Sequence, residues 1–169
     1  MRLRRRDSDS LVSFLMSLAT QPGPVGEQVR TFVLGDDLAE TVESLKERIG
    51  RLPSSSDYEH RHFLGRETGM SLDFIVDSVE RLVLPIDVHA AFELLVALFE
   101  ADTKAMENCG EHDWEVACAY ERAVGVMAVA AKDLPRASVE ARVKALIEGD
   151  EYGMRARVSA LLETQGQRQ

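Results

Sequence analysis

Two stretches of this chain constrain its fold more than anything else: "AAFELLVALFEA", Ala90 to Ala101, and "VACAYERAVGVMAVAA", Val116 to Ala131. Both are rich in helix-forming residues and apolar nearly all round. A helix without a polar face must be covered on every side, so these two belong in the middle of a bundle or stack. Neither spans a bilayer, because the best apolar window, Leu82 to Phe99, contains Pro85, Asp87, His89 and Glu93.

The remaining segments carry one apolar stripe each. A first helix starts at the N-caps Ser8 to Ser10, with Leu11, Phe14, Leu15 and Leu18 on one stripe, and ends before "QPGP". A second carries Val25, Val29, Phe32 and Val33 and stops at Gly35; Asp36 or Asp37 then caps a third, where Leu38, Val42, Leu45 and Ile49 recur at helical spacing. "GRLPSSSD", residues 50–57, reads as a linker. A short helix over 58–66 and another over 71–83 follow, with Leu72, Ile75, Val76, Val79, Leu82 and Val83 on one face of the latter. Pro85 breaks the chain and Asp87 caps the next helix. Beyond the second apolar run, "DLP" leads into a pair over 138–148 and 152–163, with Gly149 and Asp150 as stop and start.

No segment alternates like a strand. The expectation is an all-α chain of roughly eight helices, in stacked antiparallel helix pairs, forming an α-solenoid or a compact bundle. One domain over 8–164 is expected, with a flexible basic arm at 1–7 and a flexible tail at 165–169. "LGDD" at 34–37 and "EGDE" at 148–151 echo each other, and in both a Gly ends a helix where an Asp can cap the next.

Net charge is −9, and because Arg2, Arg4, Arg5 and Arg6 contribute +4, the remainder carries −13. So acidic a body repels phosphate backbones, which argues against nucleic acid as its ligand. Two cysteines, Cys109 and Cys118, indicate no disulfide framework and fit a reducing cytoplasm. The opening "RLRRR" followed by "LVSFLMSLA" imitates a signal peptide, but Asp7 and Asp9 interrupt it and its apolar positions fit an amphipathic helix.

The segment "LPRASVEARVKALIEGDEYGMRARVSALL" resembles a HEAT-like repeat: a Pro-opened helix, a Gly-Asp turn, then a helix with Arg early and Ala-Leu later, here Pro135, Asp150, Arg155, Ala160 and Leu161. That resemblance implies that Asp150 and Arg155 tie neighbouring repeats together. Over residues 54–162, "LPIDVHAAFELLVALFEADTKAMENC", an acidic turn, the Ala-rich helix and "DEYGMRARV" resemble an uncharacterised bacterial helical-repeat domain often found with SWIM-type zinc fingers. The Cys-x-Cys and Cys-x-His pairs of such a finger are absent, so the resemblance implies a fold and no zinc-finger function.

"ENCGEHDWE", residues 107–115, is the densest set of chemical side chains. Cys109, His112 and Cys118 match no standard zinc spacing, and Cys118 sits in an apolar run where a buried thiol is expected. As a turn the stretch is self-consistent: Gly110 ends one helix, Asp113 caps the next, Glu115 adds charge to its first turn and Trp114 shields the junction. His60 and His62 would sit about 200° apart on a helix, unsuited to chelating one ion. No phosphate loop, nucleophile elbow or HExxH motif occurs. The favoured function is therefore a non-catalytic, cofactor-free helical module that binds another protein, with its acidic body suited to a basic partner. The alternatives are a metal-dependent enzyme or regulator using the His and acidic residues, or a homodimer formed through a partly covered apolar helix.

Overall fold

The computed structural model describes residues 8–19, 25–26, 29, 37–52, 61–107, 113–151 and 153–162. Among them every regular element is helical, so the domain is all-α. The elements are α1 (Ser8–Ala19), α2 (Leu38–Gly50), α3 (Arg61–Ser78), α4 (Val88–Glu100), α5 (Asp102–Glu107), α6 (Asp113–Ala130) and α7 (Arg136–Glu148). A π-helical turn (Val79–Val83) ends α3, a 3₁₀ turn (Ala131–Asp133) ends α6, and a second 3₁₀ turn (Ala156–Ser159) follows α7.

The caps follow from side-chain chemistry. Asp37 has extended backbone and accepts from the N–H groups of Ala39 (2.9 Å) and Glu40 (3.2 Å), opening α2. Asp87 does the same for α4 through Ala90 N–H at 2.9 Å. Between α3 and α4, Pro85 has no N–H to continue the ladder. The chain closes instead with a wide turn, Leu84 N–H donating to Val79 O at 2.8 Å, and Asp87 N–H returning to Val83 O at 2.8 Å.

The core sits around α4. Ala91, Phe92, Leu94, Leu95, Val96, Leu98 and Phe99 are all buried on it and cover more than half of its circumference, while His89, Glu93, Ala97 and Glu100 form a half-buried to exposed strip on the opposite side. It meets α2, the π-helical turn, α6 and α7. Tyr120 of α6 donates its hydroxyl to Leu98 O at 3.1 Å and packs its ring 5.2 Å from Phe99. A buried phenol without that acceptor would carry a desolvation cost, so the bond fixes how α6 lies on α4. Leu45 and Ile49 bring α2 into the same core, and its Arg48 reaches α3, donating to Ser71 Oγ at 3.2 Å with its guanidinium 4.4 Å from the Phe74 ring centroid.

The structure differs from the sequence expectation in two elements. The separate helices expected at 58–66 and 71–83 are one, α3. Its Gly65, Thr68 and Gly69 are buried, and a Cβ at Gly69 would stand 3.0 Å from Glu115 Cβ. Gly69 allows the close approach of α6, and that packing holds the helix through positions that weaken it in isolation. The helix expected from 152 begins only at Ala156, because Gly153 turns the backbone at φ 75 and Asp150 Oδ2 accepts from Arg155 N–H at 3.1 Å. The cap expected at Gly35 and Asp36 lies outside the described residues, as does most of the linker at 50–57. On α1, Leu11, Leu15 and Leu18 are half-buried and Phe14 is exposed.

Two glycine substitutions should therefore act in opposite directions. Gly69→Val should cost about 1–3 kcal/mol by overpacking the contact with α6. Gly125→Ala, at a position where nothing lies within 4 Å of the added carbon, should stabilise by about 0.5–1 kcal/mol. Urea unfolding of the two variants checks both signs.

Candidate functional site

Asp102, the first residue of α5, is 0% exposed, and Arg155, just before the 3₁₀ turn that follows α7, is 6% exposed. Their side chains form a two-pronged pair, Arg155 Nε to Asp102 Oδ2 at 2.7 Å and Nη2 to Oδ1 at 2.6 Å. Arg155 Nη1 donates to Leu146 O at 3.2 Å, a carbonyl in the last turn of α7 that also accepts from Gly149 N–H at 3.3 Å. A Cβ at residue 149 would stand 2.8 Å from Arg155 Nη1, so glycine there keeps the guanidinium's path clear. The hydrogen bonds to Asp102 raise the Arg155 pKa above its ordinary value, against the opposing effect of burial. A raised arginine pKa contributes stability that is lost only in strongly alkaline solution, so the guanidinium stays charged across the neutral range. The pair joins two segments 53 positions apart in sequence and has the geometry of a structural clamp.

The second feature is the outer face of α6. Its inner face buries Val116, Ala119, Tyr120, Ala123, Val126, Met127 and Ala130. Its outer face carries Trp114, Cys118, Glu121, Gly125 and Val129, all exposed, flanked by the half-buried Ala117 and Ala128. Trp114 is 65% exposed, which is unusual for so large an apolar ring. Glu121 is the single ionic group on that row, and it is paired with Arg157. To one side, Arg122 donates to Asp77 (2.9 Å) and Glu80 (2.7 Å), with Asp73 at 3.9 Å, and these bonds raise its pKa. Arg142 of α7 likewise bridges Glu93 and Glu100 of α4. Such half-exposed pairs set orientation more than stability.

The residues singled out from sequence are placed unevenly. His60, Cys109, Gly110, His112, Gly35 and Asp36 lie outside the described residues. His62 falls in the first turn of α3 and Asp113 opens α6, with their side chains outside the description. Among the described residues, no group of three or more His, Cys, Asp or Glu side chains is arranged to hold a metal ion. Gly149, Asp150 and Arg155 do come together, in a different arrangement from the one the resemblance implied: Asp150 takes the backbone N–H of Arg155, while the guanidinium goes to Asp102. Cys118, expected to be buried, is exposed, and Trp114 is exposed rather than shielding a junction. Both belong to the side of α6 that the core does not cover. Asp102 escaped sequence reasoning, because nothing in the local pattern separates it from Glu100 two residues earlier.

Breaking the clamp from either side leaves a buried charge without its partner. Asp102→Ala and Arg155→Ala should each cost about 3–5 kcal/mol, and the double variant should lose clearly less than the sum of the two. Equilibrium denaturation of the three variants measures that coupling.

Comparison of the chain with protein-family models, with curated proteins and with solved structures gives no match.

Proposed function

We propose that this chain is a non-catalytic helical interaction module, and that the outer face of α6 is where it docks. The observation that carries this reading is the uncovered row from Trp114 to Val129 on a helix whose other side is fully packed. An exposed tryptophan is among the residue types that most often dominate binding energy. The flanking Arg122 network fixes α6 against α3, so the row is presented on a rigid support.

The HEAT-like reading belongs to this proposal. A helix, a Gly-Asp turn and a second helical segment tied back by an arginine are the parts such a repeat needs, and the clamp from Arg155 to Asp102 supports a stacked arrangement. A cytoplasmic setting fits a chain with an exposed thiol at Cys118 and no helix among the described residues long and apolar enough to cross a membrane.

The reading predicts that Val129→Glu abolishes docking without unfolding the domain, because Val129 faces outward. Wild-type and variant proteins, immobilised at equal loading and exposed to lysate of the source cells, distinguish the outcomes. A protein retained at near-stoichiometric level by the wild type and at least tenfold less by the variant supports the outer face as the docking surface. Equal retention by both contradicts it.

A further inference from the structure

Helix α1 stands apart from the packing that organises the rest of the chain. Its half-buried Leu11, Leu15 and Leu18 do not belong to the layer of side chains packed on the hydrophobic core. At about 100° per residue these leucines form one stripe, with Val12 and Met16 along one border and Phe14 along the other. Val12, Phe14 and Met16 are each more than half exposed. Ser10, Ser13 and Ser17, all exposed, share the opposite side. A helix divided in this way suits the boundary between water and an apolar phase. With 12 residues it is about 18 Å long, too short to cross a hydrocarbon core of about 30 Å.

The charge of the chain is divided at the same place. Arg2, Arg4, Arg5 and Arg6 directly precede α1 and outweigh Asp7 and Asp9, so residues 1–19 carry +2 while residues 20–169 carry −11. We propose that α1 docks on the surface of an anionic lipid bilayer, with its apolar face sunk to the level of the headgroups and the four arginines set against the lipid phosphates.

Two contributions act together in such docking: burial of the apolar face, and attraction of basic residues to anionic headgroups. The three large exposed side chains of α1 supply the first, and they need no shaped socket, because lipid tails adapt to them. The arginines supply the second, each strengthening attachment by about fivefold near an anionic surface. The acidic remainder opposes it. At physiological salt that repulsion reaches only about 8 Å, so it acts through the acids nearest the bilayer, whereas the arginines adjoin the inserted helix itself. Added salt should therefore weaken the attachment, and bilayers without anionic lipid should not hold the chain.

The test is flotation of the full chain with vesicles of phosphatidylcholine alone and of phosphatidylcholine with about 30% phosphatidylserine, at low and high salt, with tryptophan emission recorded on the same samples. The expected result is a chain that floats with the phosphatidylserine vesicles, is released by high salt and ignores the neutral vesicles. Phe14→Asp and Met16→Asp, both at exposed positions of a helix that does not pack on the core, should keep the wild-type circular dichroism and lose at least about tenfold in binding. Replacing Arg2, Arg4, Arg5 and Arg6 together by Ser should lose at least as much. The single tryptophan, Trp114, lies on α6, so its emission should not change when α1 inserts. A chain that stays off the phosphatidylserine vesicles overturns the proposal, as does equal flotation with the neutral ones or undiminished binding by any of the three variants. A blue shift of Trp114 that tracks binding would put the lipid contact on α6 instead and overturns it too. A chain that ignores vesicles but sediments as a dimer dissolved by Phe14→Asp would place a second copy on α1, and lipid docking fails.

Discussion

The structure is organised by the need to cover α4. Helix Val88–Glu100 buries apolar side chains over more than half of its circumference, and no single neighbour can shield so wide an arc. Helices α2, α6 and α7 and the turn before α4 take up that work, and each turns its own apolar stripe inward to do so. The polar contacts of the core serve the same arrangement. The bond from Tyr120 to the Leu98 carbonyl fixes α6 along α4, and the bridge from Arg142 to Glu93 and Glu100 fixes α7 on another side.

The Asp102–Arg155 pair closes the end of this assembly. It stands where α4 has just stopped and where the chain beyond α7 turns back, and it engages both through one planar guanidinium. Taking two charges out of water is costly, and here the cost is offset by the two-pronged geometry and by a further hydrogen bond from the guanidinium to the Leu146 carbonyl. What the pair contributes is uniqueness: Arg155 has one place where its donors are met, which sets the path of the segment carrying Val158 and Leu161 into the core.

Much of this was legible in the sequence. The caps at Asp37 and Asp87, the break at Pro85, the stripe of α2 and the central place of α4 follow from local chemistry. The misses have a common physical origin in long-range packing. The continuity of α3 depends on α6 lying against Gly69, and the late start of the last helical turn depends on Asp150 capturing a backbone N–H. Composition placed both apolar runs in the interior. That holds for α4 apart from the strip of His89, Glu93, Ala97 and Glu100, whereas α6 is covered over a narrower arc, because small residues and alanine read as apolar whether or not a neighbour exists to cover them. Trp114 and Cys118 were misplaced for that reason, and the candidate face emerged only when their exposure was known.

The central claim is that α6 divides its two sides between different tasks, one for the fold and one for recognition. The most direct test is the unfolding free energy of the triple variant Trp114→Ser, Cys118→Ser, Val129→Ser, measured beside the wild type at the same low protein concentration. The account predicts stability within about 1 kcal/mol of the wild type, as for substitutions at exposed positions. A loss of more than about 3 kcal/mol would place these side chains in the core and contradict it.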